Sequence, residues 1–418
     1  MSTTRREFLK LSATAVASFG STFPAFLGRL ALAAEPAREG NIFVLLQLTG
    51  GNDGLNTVIP FEDDVYQKSR RTLRIAAKDV LRIDDALGFH PELRAFVKLY
   101  EEGHLGIIQG VGHENSSRDH DAALRDWHTA RPGLYATQTG WVGRLADSMS
   151  RSEEAGTPAI FSGDIERPFG LNGERAIVPS IRSLDECVLQ VPSVPEEREA
   201  RCKLLRELAE IRRPSEGTPL LDFLQRSAMS AHAASQKIAQ VARTTFPGSL
   251  GYPPFQLAAT LRTVAQLIRA DAGVRVFYVE LGGGGIGGFD NHANQGANHG
   301  ALLRQLSESV AAFVRDLDGH GLLERVLLVT FSEFGRTVAE NGRRGTDHGA
   351  AQPLFLAGGK LKGRLIGPHP SLTDLDQGGL KPHTDFRRVY ATVLERWLGV
   401  ASDAILGEKY EPMDFLAA

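Results

Sequence analysis

Three apolar runs, each cut off abruptly by glycine, carboxylate or imidazole, constrain this chain more than any other feature of it. Residues 326–331 (VLLVTF) run into Ser332-Glu333-Phe334-Gly335-Arg336, and a short Gly-containing loop then leads to Thr346-Asp347-His348-Gly349. Residues 42–48 (IFVLLQL) run into Thr49-Gly50-Gly51-Asn52-Asp53-Gly54. Residues 274–281 (VRVFYVEL) run into a glycine-rich stretch, 282–288, followed by Phe289-Asp290-Asn291-His292. Short, nearly unbroken runs of Val, Leu, Ile and Phe suit strands buried on both faces of a parallel sheet. In open parallel sheets, ligands bind just beyond the carboxyl ends of the strands. The pattern therefore predicts one sheet edge that collects polar, metal-competent side chains.

Between these runs the sequence alternates strand-like and helix-like segments. A helix is predicted over 91–100, with proline in its first turn. A second strand is predicted over 105–111 (LGIIQGV), followed by 112–118 and a helix over 119–129 with Ser116 or Ser117 at its N-cap. A short strand at 158–162 and a helix at 253–270 follow. In 298–317, Leu303, Leu306, Val310, Phe313 and Leu317 repeat at 3-4-3-4 spacing, which is one face of a helix. A short strand is expected at 353–357, and Thr384-Asp385 caps a final helix that Gly399 ends. The alternation predicts an α/β fold, a doubly wound, mostly parallel sheet flanked by helices. It places one domain at 41–400 and a tail at 401–418. Residues 196–243, rich in Glu, Arg, Ala and Leu, read as a helical insertion.

The first residues read as an address rather than as part of the fold. Thr4-Arg5-Arg6-Glu7-Phe8-Leu9-Lys10 fits the twin-arginine pattern S/T-R-R-x-F-L-K at every defined position. A weakly apolar stretch and the small-x-small site Ala31-Leu32-Ala33 follow. Pro24 and Arg29 make this stretch a poor spanning helix, so no stable membrane span is expected. A signal peptide over 1–34 implies a passage through the twin-arginine translocase to the periplasm or beyond. In such a compartment Cys187 and Cys202 can pair, although their spacing does not decide it. A net charge of -3 with 23% charged residues gives no basic surface for nucleic acid.

Asp53, Asp290, His292, Glu333, Asp347 and His348 are the candidate metal ligands. Mixed carboxylate and imidazole donors suit Zn, Mn or Fe, as one ion or two. Singly, each has a plain structural reading: Asp53 as a turn residue, Asp290 as a cap, Glu333 as a partner of Arg336, His348 as a loop histidine. His299 reads as lying behind the site or at the surface. Ser117, with Arg118 beside it to hold an anion and His120 as acid or base, is the candidate catalytic group. Ser117 as a mere cap and His120 as an ordinary helix residue stand beside that reading.

Five stretches in order, LLQLTGGNDGLNTVIP, GVGHENSSRDHDAALRDWHTA, FDNHANQGANH, VTFSEFGRTVAENGRRGTDHGAAQPLFLAGG and TDFRRVYATVLERWLG, resemble the exported bacterial domain-of-unknown-function family numbered 1501. That family is similar in fold to the alkaline phosphatase and sulfatase superfamily, which implies an alkaline-phosphatase-like sheet, two metals and a nucleophile. Under the resemblance, Asp53 corresponds to the aspartate after the first strand, Asp290 and His292 to the pair after the penultimate core strand, and His348 to the late metal-binding histidine. Phe334 stands where a histidine beside Glu333 would be, and a sulfatase nucleophile would fall on Glu114, which argues against a formylglycine enzyme. The resemblance implies a metal-dependent hydrolase of phosphate or sulfate esters acting on a small-molecule or glycan ester. The alternatives are a non-catalytic cell-envelope binding or assembly protein on the same fold, and a phosphoethanolamine-type transferase.

Overall fold

The structure, a computed structural model, describes residues 40–149, 158–163, 167–176, 178–181, 251–282 and 288–417. The leader, the insertion at 196–243 and both cysteines lie outside the described residues. Nine strands form the main sheet: β1 (Ile42–Leu48), β2 (Leu105–Gly112), β3 (Ala159–Ser162), β4 (Ser180–Ile181), β5 (Val276–Leu281), β6 (Val326–Phe331), β7 (Gln352–Gly358), β8 (Leu365–Ile366) and β9 (Thr384–Asp385). Their order is β8-β2-β7-β6-β1-β5-β3-β4, with β9 also on β2. Every pairing is parallel except the two that β7 makes, with β6 and with β2. The three apolar runs are thus adjacent central strands, as their two-sided burial requires.

Alternation along β1 shows why the sheet is doubly wound. Ile42, Val44, Leu46 and Leu48 enter one core, and Phe43 and Leu45 enter the other. The first core is closed by α1 (Arg94–Glu101), α4 (Gln256–Arg269) and α5 (Gln295–Gly319). The second is closed by α2 (His120–Thr129), α3 (Trp141–Met149) and α6 (Phe386–Thr392), where Trp127 and Trp141 stack on Phe386 and Tyr390. Among the described residues no helix is long and apolar enough to cross a membrane.

Several expectations move in detail. The 91–100 helix begins as a 3-10 turn, Pro91–Leu93, before α1. Helix α5 starts at Gln295, three residues early, because backbone N–H groups of Asn294 and Gln295 donate to the carbonyls of Arg343 and Arg344. Within the expected tail at 401–418, Ser402–Leu406 is helical and Phe415 is fully buried.

Candidate metal centre

Register fixes where the loops emerge. Leu48 lies level with Leu281, and Gln47 with Phe331, so β1, β5 and β6 end together. The loops that follow, Thr49–Asp53, Gly288–His292 and Ser332–Arg336, start from one edge. β7 runs the other way, so its amino end returns to that edge and delivers Asp347 and His348 just before Gln352. The chain after β1 turns there through Gly50 at φ +110° and Gly51 at φ +80°. A Cβ on Gly50 would stand 2.5 Å from the Asp290 nitrogen, so only glycine lets these loops touch.

Four side chains converge at this edge. The Asp290 Oδ1 lies 3.0 Å from His292 Nε2, 3.2 Å from His348 Nε2 and 3.4 Å from His120 Nε2. The ligand atoms of His120, Asp290 and His348 lie within 4.8 Å of one another, and His292 Nε2 is 2.8 Å from His348 Nε2. Each ring is held by its other nitrogen. His348 Nδ1 is 2.5 Å from the Arg118 carbonyl, His120 Nδ1 is 3.0 Å from Glu333 Oε1, and His292 Nδ1 is 3.2 Å from Asp347 Oδ1. A carbonyl can only accept, so His348 Nδ1 carries the hydrogen; ionised carboxylates impose the same on the other two. In the neutral rings all three Nε2 atoms then present lone pairs toward the one Asp290 oxygen, and those of His292 and His348 also face each other. Only a cation or added protons can reconcile that set, and imidazoles oriented from behind in this way are the usual metal-ligand arrangement.

Electrostatics supports the same reading. Burial of Asp290 acts to raise its pKa, but the Arg336 guanidinium, 2.7 Å away, overrides it and brings it down to about 2. Burial lowers the pKa of His348 and favours the neutral ring that a metal needs. The bond to Glu333 raises that of His120 despite partial burial, so a metal would compete there with a proton. Phe334 lies under two of the rings, stacked on His348 at 4.5 Å and tilted against His120 at 4.9 Å, and keeps that side dry.

Other candidates take different places. Asp53 does not join the group: it is buried, and both its oxygens bind Arg70, at 2.5 and 2.8 Å, with Gln295 on Oδ2. Burial would raise its pKa, but Arg70 lowers it overall. Glu333 lies outside the converging group too. It accepts from the Gly50 N–H, from Ser332 Oγ and from His120, and so stands behind the ring. Asp347 stands likewise behind His292. Arg336 pairs with Asp290, not with Glu333. It also donates to the carbonyls of Gly50, Gly51, Phe289 and Thr346, and thereby ties all the loops together.

The helix after β2 is capped by Asp119, whose carboxylate accepts from the Ala122 N–H at 3.0 Å, not by either serine. Ser117 Oγ accepts from the Asp119 N–H at 3.1 Å, and Ser116 Oγ accepts from Arg118 at 2.8 Å. Arg118 is closed by Asp376 at 2.8 Å. His120, expected as an acid or base, has its Nε2 3.4 Å from Asp290 Oδ1 and stands among the candidate metal donors. His299 is buried, with Nε2 3.1 Å from the side-chain oxygen of Asn52. Sequence reasoning missed the clamping roles of Arg336 and Arg70. A charged residue at the foot of a buried apolar run was the available sign for Arg336.

No curated protein matches the chain. Among solved structures, the PsFucS1 sulfatase from Pseudoalteromonas sp. is similar at 12% identity and TM-score 0.40, over 98% of this chain and 75% of that one. A protein in the alkaline phosphatase superfamily from Vibrio parahaemolyticus is similar at 11% identity and TM-score 0.40, over 97% of this chain and 78% of that one. The C-terminal periplasmic domain of EcEptC from Escherichia coli, in complex with Zn, is similar at 10% identity and TM-score 0.33, over 78% and 75%. The family described as "Protein of unknown function (DUF1501)" matches residues 42–404, nearly the whole of the described fold, and the chain belongs to it.

Proposed function

We propose that the protein is a metal-dependent hydrolase of phosphate or sulfate esters, exported by the twin-arginine route. One observation carries the reading: three imidazole Nε2 atoms lie 3.0–3.4 Å from one carboxylate oxygen, and each ring is fixed from behind by an acceptor. His120, Asp290 and His348, with His292 beside the latter two, would hold one divalent ion, Zn, Mn or Fe. Such an ion supplies Lewis-acid polarisation of an ester oxygen. The chain's own residues do the rest. Glu333, Asp347 and the Arg118 carbonyl fix the rings, Arg336 keeps Asp290 ionised, and Phe334 excludes water from one side. Ser117 stands next to the residue whose carbonyl holds His348, and it is the proposed nucleophile.

A second reading, a non-catalytic envelope protein, is favoured by one fact. The Ser116 and Ser117 hydroxyls each already accept a hydrogen bond within their own turn. The deciding experiment uses protein exported in a native-like host. Its metal is measured by elemental analysis, and turnover is tested on aryl phosphates and aryl sulfates. One equivalent of metal with turnover supports the hydrolase. Metal without turnover supports the second reading, and no metal in wild type refutes the centre itself. Export is tested by changing Arg5 and Arg6 to lysine, which should strand the protein in the cytoplasm; normal export would refute that route.

A further inference from the structure

The loop between Arg336 and His348 carries two arginines, Arg343 and Arg344, at the lip of the ligand group. Both are exposed, and among the described residues neither guanidinium has a hydrogen-bond or ion-pair partner. The other two arginines near the site are spent: Arg118 on Asp376 and Ser116, Arg336 on carbonyls and Asp290. The tip that bears Arg343 and Arg344 is firmly built. Asn341 accepts from the N–H groups of Arg343 and Gly345, at 2.9 and 3.1 Å. Its amide also donates to the His292 carbonyl at 3.1 Å and to Asp347 Oδ1 at 3.0 Å. Arg344 is held at φ +59°, a region that side chains other than glycine seldom adopt. A Cβ on Gly345 would come within 2.2 Å of the His292 backbone, which shows how tightly the tip lies on that ligand's loop. The same backbone also receives the N–H groups that start α5, so both side chains leave a fixed place at the rim.

The lip around them is acidic. The Asp290 side chain is 45% exposed and that of Asp347 59%, so an approaching anion is repelled unless fixed cations offset them. Planar guanidinium forks match sulfate and phosphate oxygens in pairs. We propose that Arg343 and Arg344 form an anion-gripping rim, and that the substrate is a polyanionic chain, a multiply sulfated or phosphorylated glycan, held through a group other than the ester being cleaved. What is cleaved rests on the hydrolase reading; what is gripped does not.

The probe is fluorescein-labelled dextran sulfate, followed by fluorescence anisotropy against the full exported protein, with zinc and after chelation. In wild type, binding should weaken as salt is raised. The Arg343→Gln/Arg344→Gln protein should bind at least about tenfold more weakly, which corresponds to about 1.4 kcal/mol. It should do so with and without zinc, and with wild-type metal content. Arg343→Lys/Arg344→Lys should recover part of the loss, which separates charge from misfolding. Arg262→Gln, an exposed arginine on α4, should change nothing. The inference is overturned if wild type ignores the probe, if the double glutamine protein binds like wild type, or if Arg262→Gln loses as much. A wild-type protein that grips the probe yet binds no zinc would sink the metal centre and leave the rim standing.

Discussion

Replacing Arg336 by methionine tests the clamp that holds the centre together. The guanidinium is buried and donates to four backbone carbonyls and to Asp290. Hydrogen bonds from charged groups contribute about 1.5–3 kcal/mol each, so simple addition would exceed 7 kcal/mol. That sum overshoots, because some freed carbonyls would find water once the side chain is gone. Asp290, half exposed, would also rehydrate. The loss of roughly two such bonds that water does not replace, about 3–5 kcal/mol, is the better guide. At about 2.1 cal/mol/K per residue over 418 residues, the unfolding entropy is roughly 0.9 kcal/mol/K, so Tm should fall by roughly 3–6 °C. Calorimetry with and without zinc is the assay. Zinc should restore only part of the loss, because an ion can neutralise Asp290 but cannot donate to the Gly51, Phe289 and Thr346 carbonyls. A fall below about 1 °C would refute the clamp, since it would mean those carbonyls were never short of donors. Complete rescue by zinc would show that Arg336 acts only as a charge.

The other predictions address single groups. His348→Ala should lower both bound metal and Tm in the metal-loaded protein, because ligand loss removes binding energy from the folded state; unchanged metal content would place the ion elsewhere. Ser117→Ala should abolish turnover of any ester found to be a substrate while costing well under ~1 kcal/mol of stability, since Asp119 is the cap; near-normal turnover would remove Ser117 from the mechanism. Burial, aided by the neighbouring Glu333 charge, pushes the Glu280 pKa up to about 7 against a bond from Thr49. Its folded value is above its unfolded one, so it weakens the fold as pH rises from about 4.5 to 7. Glu280→Gln should therefore raise Tm relative to wild type more at pH 8 than at pH 5, and an equal change at both would discount the shift.

The central sheet was readable in the sequence because burial on both faces leaves a one-dimensional mark. Residues 42–48 and 326–331 are apolar but for Gln47 and Thr330, and the structure makes both of them strands over those same residues. Polar residues just past such runs could be located as well, because a strand's end is also a place in space. Partner choice was not readable. Nothing in the local sequence separates Asp53, whose oxygens Arg70 occupies, from Asp290, whose Oδ1 faces three rings. Arg70 follows Asp53 by 17 residues through a turn and a short helix, so the pairing is set by tertiary contact alone. His120 was seen but given the wrong neighbours, because a helix start says which way a ring leaves the backbone and not what will meet it. The reversal of β7 likewise left no sequence mark, although it is what brings His348 back to the edge where Asp290 and His120 lie.

The place of β1 has a consequence for how the chain reaches this state. β1 is made early in synthesis, yet its two neighbours are residues 276–281 and 326–331. At roughly 5–20 residues per second, its first partner appears on the order of ten seconds or more after it, and the second later still. Until then a seven-residue apolar segment waits with both edges open, which is the state most prone to pair with another chain. Nascent chains of this protein should thus depend on holding factors up to about residue 331. A fragment ending before residue 276 should aggregate, however well its own helices form.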